Sequence, residues 1–165
     1  MVIDLKKIFV NENSSMPLEY SMDMSTCEYM GLYPLKKPIS FKGTVSNSAS
    51  LIKLAAVITY EYDAPCDRCG KPTAAAVNLK LDKALASSIE GDDSDSILVT
   101  PDMKLDLDEL LYTEVYGSLP MKHLCHSECK GICFKCGKDL NDGKCNCPDK
   151  EVDPRLAALM ELLEN

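Results

Sequence analysis

Residues 51–82, LIKLAAVITYEYDAPCDRCGKPTAAAVNLKLD, alternate apolar and polar side chains on both sides of a short cysteine-bearing break. Ile52, Leu54, Ala56, Ile58, Tyr60 and Tyr62 fall on one face, opposite Lys53, Thr59 and Glu61. Beyond the break, Ala75, Val77, Leu79 and Leu81 alternate with Asn78, Lys80 and Asp82. A two-residue period on both arms predicts two strands joined by a tight turn, each burying one face. The turn carries Cys66 and Cys69, which places a thiol pair at the tip of a hairpin.

The same period extends toward the amino terminus. Met16, Leu18, Tyr20, Met22 and Met24 share one phase, and Ile39, Phe41 and Val45 share another. Four amphipathic strands with polar backs predict an antiparallel sheet with one solvated face, either open or a partly closed barrel. Asp106, with Glu109 three residues on, is an approximate capping box. Leu107, Leu110, Leu111 and Val115 continue it with helical spacing, and Gly117 is placed to end the helix. Asp153-Pro154 opens a second helix with an apolar stripe of Leu156, Leu159, Met160 and Leu163, suited to docking on the chain's own core. The acidic segment Glu90–Ser96 lacks the order of acids, glycine and closing glutamate of a calcium loop, and is expected to be a solvated loop. The expected class is therefore α+β: a β-rich sheet or partial barrel, two helices and a cysteine-rich segment. It divides into 1–120, 121–150 and a helix at 151–165.

A length of 165 residues with 45% hydrophobic composition suits one ordinary domain with a small appendage. Apolar runs are broken by charges well short of a membrane span, and the first residues lack the marks of a secretory or import leader. A cytoplasmic location is the expectation. In a reducing compartment, nine cysteines point to metal ligation or redox work before disulfides. The net charge of −8 argues against a broad RNA-binding face, which must be basic. Contact with a ribonucleoprotein would then run most simply through its basic proteins. Lys122, Lys130, Lys135, Lys138 and Lys144 offer a local RNA contact, but serve equally as solubilising charge beside anionic thiolates.

Two pieces, Cys66-Asp67-Arg68-Cys69-Gly70 and Cys133-Phe134-Lys135-Cys136-Gly137, repeat one design. Two thiolates three apart reach one tetrahedral ion from a tight turn, and the glycine after them takes the left-handed conformation such a turn often needs. Each supplies two ligands, and Cys125, Cys129, Cys145 and Cys147 remain to complete two sites, leaving Cys27 outside. The favoured pairing makes a local site of Cys133, Cys136, Cys145 and Cys147, because the eight-residue loop between Cys136 and Cys145 contains Asn141-Asp142-Gly143 and closes readily. It joins Cys66 and Cys69 to Cys125 and Cys129. The rival joins Cys125, Cys129, Cys133 and Cys136, and leaves Cys145 and Cys147 for the hairpin. His123 and His126 could each replace a thiolate, although flanking histidines are more often ordinary polar residues. Closed four-cysteine zinc sites have no open position for substrate and are structural, so one or two zinc ions are expected as braces. Spacing does not separate zinc from iron.

Two enzymatic readings compete and lose. Cys129, Cys133 and Cys136 have the C-x3-C-x2-C spacing of radical S-adenosylmethionine enzymes, but Lys135 stands where an aromatic is usual, and the strand pattern does not build the required barrel. A thioredoxin-like pair belongs at a helix start, whereas Cys66 and Cys69 lie between strands. No catalytic set or small-molecule substrate site can be picked out.

The order of features is itself distinctive: CDRC, then DELLYTEVYGSLPMKHLC, CKGICFKCGKDLN, CNC and DPRLAAL. From about Tyr60 to Leu163 this resembles the YceD family, named for accumulation of large-subunit ribosomal RNA. The resemblance implies a non-catalytic bacterial factor acting with the large-subunit precursor, in its assembly or protection. It implies that Cys66 and Cys69 belong to the shared fold. It also implies that the block Cys133, Cys136, Cys145 and Cys147, found in only some members, is a lineage-specific brace or contact surface. A zinc-stabilised adaptor unrelated to the ribosome is the alternative, and an iron–sulfur enzyme the more distant one.

Overall fold

The computed structural model describes residues 1–88 and 97–147. The second expected helix, the 151–165 unit and the acidic segment lie outside these residues. Among the described residues seven strands and two α-helices follow one another: β1 (Val2–Asp4), α1 (Lys6–Val10), β2 (Ser15–Met22), β3 (Ile39–Ser48), β4 (Leu51–Pro65), β5 (Pro72–Ala86), β6 (Ile97–Val99), β7 (Lys104–Asp106) and α2 (Leu107–Ser118), with a 3-10 turn at Pro101–Met103.

Strands β2 to β6 form one sheet in chain order, curled into a half-barrel, and β1 pairs with β7 in a small antiparallel sheet. The β4–β5 hairpin is long, pairing from Ile52 with Leu85 to Pro65 with Pro72. Along β4 the even-numbered residues Ile52 to Ala64 are all buried, which fixes the register because a one-residue slip would expose every one of them. Phe41 faces Ile58 and Val45 faces Leu54 across β3–β4, and both pairs are buried. Helix α2 lies on this concave side, adding Leu107, Leu110, Leu111 and Val115 to the same core. Gly43 sits opposite Ala56 on β4, and a methyl group on it would fall 2.6 Å from the Ala56 Cβ. Small residues at this crossing let the strands approach where the sheet bends.

Three differences from the sequence-based expectation have local causes. The sheet is antiparallel from β2 to β5, but β6 joins β5 in parallel. Three residues are too few to carry a period, and β6 is held by its flank, where Thr100 donates both N–H and hydroxyl to the Ala86 carbonyl. Helix α1 is also too short to announce itself. It forms because Leu5 and Ile8 seal the core, while the buried Asn47 side chain donates to the Ile8 carbonyl at 2.8 Å. Finally, α2 starts where expected, with the Asp106 carboxylate accepting from the Asp108 N–H, but it runs through Gly117 to Ser118. The stop is Pro120, because the residue before a proline avoids the helical region and Leu119 is accordingly extended.

Candidate metal centres

Pro65 and Pro72 close the β4–β5 ladder and leave Cys66–Lys71 as its tip. There the Cys66 N–H donates to the Lys71 carbonyl at 2.9 Å and the Gly70 N–H to the Cys66 carbonyl at 2.8 Å, with Gly70 at φ +71°. Cys133–Lys138 repeats this construction: Cys133 N–H to Lys138 carbonyl and Gly137 N–H to Cys133 carbonyl, both 2.8 Å, with Gly137 at φ +73°. The shared C-x-x-C-G sequence thus folds twice into the same turn.

The sulfurs assemble into two groups of four, Cys66, Cys69, Cys125 and Cys129, and Cys133, Cys136, Cys145 and Cys147, each with its ligand atoms within 4.8 Å of one another. This is the first of the two pairings. In the first group Cys66 Sγ lies 3.8 Å from Cys129 Sγ, and Cys69 Sγ lies 3.7 Å from Cys125 Sγ. A tetrahedral thiolate shell with metal–sulfur bonds of about 2.3 Å has edges of about 3.8 Å, so these spacings fit a bound ion. They are far too long for a disulfide bond, at about 2.05 Å.

The protonation preferences tell the same story. Burial opposes ionisation of Cys66, yet N–H groups of Cys125, Cys69 and Arg68 aimed at its sulfur outweigh burial and bring its pKa down to about 6. In the second group the N–H groups of Cys136 and Lys135 bring Cys133 down to about 6. Burial and then the neighbouring sulfurs of Cys129, Cys69 and Cys66 push Cys125 up to about 12. The Cys136 sulfur and then burial push Cys147 up to about 12. Each cluster favours some thiolates and refuses the rest while no cation shares their charge. A divalent ion removes that conflict, and its uptake would release protons.

The segment after α2 is fastened to the hairpin tip by backbone as well as sulfur. The Asp67 N–H donates to the His123 carbonyl at 2.9 Å, and the His123 N–H returns a bond to the Asp67 carboxylate at 2.6 Å. Arg68 donates from Nη1 to the Cys129 carbonyl at 2.6 Å, and Ile132 donates its N–H to the Arg68 carbonyl. Asn141 links the two groups. It accepts from the Lys130 N–H at 2.8 Å and aims its Nδ2 at Cys129 Sγ, 3.4 Å away. Lys71 on the hairpin pairs with Asp139 at 2.7 Å. Nothing in the spacing of cysteines marks Asn141, which is legible only from this contact. Because partners of metal ligands typically contribute about 10–100-fold in affinity, Asn141→Ala should weaken cobalt(II) binding at the first group about tenfold. Competition against a chromophoric chelator measures this, and an unchanged affinity would mean that Asn141 only shapes the loop.

The remaining candidates fall elsewhere. His123 is buried edge-on against the Tyr62 ring, and exposed His126 sits beside Cys125; neither joins a sulfur group. Cys129 belongs to one group and Cys133 and Cys136 to the other, so the enzyme-like triplet is split. The Cys66 pair stands between strands, not at a helix start. Cys27 packs half-buried against the core, and burial raises its thiol pKa. Lys122, Lys130, Lys135, Lys138 and Lys144 are all exposed. No helix among the described residues is long and apolar enough to cross a membrane.

Fold and clusters define a class: an α+β protein whose half-barrel carries, at one hairpin tip, a cysteine-rich segment able to hold metal ions. The model of the YceD family, described as large ribosomal RNA subunit accumulation protein YceD, matches residues 54–163, which include all eight clustered cysteines. The chain belongs to the YceD family. It is similar to the chloroplastic large ribosomal RNA subunit accumulation protein YCED homolog 1 of Arabidopsis thaliana, with 24% identity over 162 residues, 80% of this chain and 50% of that protein. An uncharacterized protein of Mycobacterium tuberculosis is 28% identical over 102 residues, 59% of this chain and 49% of that one. One of Mycobacterium leprae is 25% identical over 132 residues, covering 76% and 59%. The chain spans about half the length of the curated relatives it matches. No solved structure matches it.

Proposed function

We propose that this chain is a non-catalytic, cytoplasmic factor supporting accumulation of large-subunit ribosomal RNA, through assembly of the large ribosomal subunit. Family membership across residues 54–163 is the observation that carries this reading. Each cysteine group holds one structural zinc ion in the proposal. Four sulfurs complete a tetrahedral shell and leave no position for a substrate or an attacking water, which supports an architectural role. The partner is the large-subunit precursor, reached through ribosomal proteins or assembly factors, since a chain of net charge −8 meets basic proteins more readily than bare RNA.

A tagged copy should co-sediment with large-subunit precursors in a gentle gradient, and depletion should lower large-subunit RNA relative to small-subunit RNA. Sedimentation only at the top of the gradient, with normal RNA on depletion, would overturn the proposal. A nuclease-insensitive partner outside the ribosome would favour the adaptor reading instead.

A further inference from the structure

Three tyrosines from two distant segments of the chain form a row of ring contacts, Tyr29 on Tyr116 and Tyr116 on Tyr112. Tyr112 and Tyr116, one turn apart on α2, stack with ring centroids 5.7 Å apart and planes at 15°. Tyr29, from the loop between β2 and β3, meets the Tyr116 ring edge-on at 5.5 Å and donates its hydroxyl to the Leu119 carbonyl. Tyr112 is 49% exposed and Tyr116 40%. The same two segments carry Met30 and Met121, 71% and 86% exposed. Tyr29 rests half-buried against the core, while Tyr112, Tyr116, Met30 and Met121 stay open to solvent. Aromatic and methionine side chains are enriched where proteins meet partners.

Charge says what kind of partner. Residues 23–35 and 107–121, which supply the patch, contain Asp23, Glu28, Asp108, Glu109 and Glu114. Of the basic residues flanking them, Lys36 and Lys37 are paired with Asp63 and Glu61, and Lys122 follows Met121 at the border. Lys83 neutralises Glu114, and Tyr20 engages Asp108. Glu28 adjoins Tyr29 in the chain, and Glu109 lies one turn before Tyr112 on the exposed side of α2. A phosphate backbone would be repelled here. The chain's own last eighteen residues, with five carboxylates and two bases, also have the wrong sign. A guanidinium has the right one, and it stacks on tyrosine faces while its N–H groups fork onto a carboxylate.

We propose that the acidic tyrosine ladder Tyr29–Tyr116–Tyr112 is a docking face for an Arg- and Lys-rich protein segment. This rests on the assembly reading above: a protein that lies on ribosomal RNA must itself present Lys and Arg to the phosphates. The face lies outside the two sulfur groups, with exposed Lys122 at its border next to Met121.

The test uses the full, metal-loaded chain and a fluorescein-labelled twelve-residue peptide alternating arginine and glycine, read by anisotropy. Tyr112→Ala, a change at a half-exposed ring outside the core, should weaken binding severalfold, and Tyr112→Ala with Tyr116→Ala at least tenfold. Glu28→Lys with Glu109→Lys should weaken it about as much and flatten its salt dependence. The melting temperature should be unchanged in that pair and lowered only slightly in Tyr112→Ala, so that lost binding is not lost folding. Equal peptide affinity in all variants overturns the inference, as does tighter binding of a labelled single-stranded RNA that the tyrosine changes abolish. In the gradient, a wild-type chain that sediments with precursors and a tyrosine variant that does not supports the docking face. If both sediment there, only the docking face fails. If the wild type stays at the top, the assembly reading fails with it.

Discussion

With one ion in each sulfur group, as proposed, Cys66→Ser should remove one of them and loosen residues 121–147 at the hairpin tip. Cys66 is almost wholly buried and shares its group with ligands 59 and 63 positions away, Cys125 and Cys129. A cross-link closing a loop of that length restricts the unfolded chain by about 4 kcal/mol, against about 2.5 kcal/mol for the nine-position step from Cys136 to Cys145. Cys133→Ser should therefore also remove one ion, yet leave the Asp67–His123 and Arg68–Cys129 contacts standing. For a domain of this size the first change corresponds to a melting point lowered by about 10 °C, and the second to roughly half that. Native mass spectrometry counts the ions, and calorimetry reads the midpoints. Two ions retained in the Cys66→Ser chain, or equal losses of stability in both variants, would contradict the tethering role of the first group.

Gly131→Ala has the next largest expected effect, about 3 kcal/mol. The buried residue sits at φ +74°, and an added Cβ would lie 2.9 Å from the Arg68 carbonyl oxygen. Left-handed backbone costs a side chain about 1–2 kcal/mol, and crowding a packed seam adds about 1–3 kcal/mol. Arg68 cannot easily move, since its knuckle is held by Cys66 and Cys69, its carbonyl accepts from Ile132, and its guanidinium reaches the Cys129 carbonyl. Gly70 and Gly137 provide the control. Both have positive φ but open space around them, so alanine at either should cost only the backbone strain, about 1–2 kcal/mol. Denaturant unfolding in excess zinc separates the cases. Equal costs at all three glycines would show that residue 131 does not pack against the hairpin as tightly as these distances require.

The two changes probe opposite sides of one seam. Cys66 reports the bond through metal, and Gly131 the close approach of two backbones that lets the sulfurs meet. Asn141, in the loop between Cys136 and Cys145 of the second group, reaches back to Lys130 and Cys129 of the first.

What could be read in advance divides along physical lines. A strand with one buried face must alternate, so β4 was visible from Ile52 to Tyr62, and the pair at its end had to fall in the turn. A side-chain acceptor at the N-cap satisfies an otherwise unpaired backbone N–H, so Asp106 marked the start of α2. A tetrahedral site needs four ligands, so two C-x-x-C knuckles and two further cysteine pairs implied two groups. The elements that escaped, α1, β1, β6 and β7, have three to five residues each. They are too short to show a period and exist because the core accepts them. Gly117 misled because glycine permits a helix end without requiring one, whereas Pro120 restricts the residue before it.

Local periodicity and ligand chemistry, both written in neighbouring residues, determined the sheet, the hairpin knuckle and the eight candidate sulfur ligands. Which sulfurs share a group, and which tyrosines share a face, was decided only by the tertiary structure. The short loop with Asn141-Asp142-Gly143 already favoured a local site of Cys133, Cys136, Cys145 and Cys147, but spacing could not establish that Cys125 and Cys129 reach the distant hairpin. The choice came from the seam, where Asp67 meets His123 and Arg68 meets Cys129 and Ile132. Tyr29 and Tyr116, eighty-seven positions apart, likewise touch because the curl of the sheet and the seat of α2 bring them together.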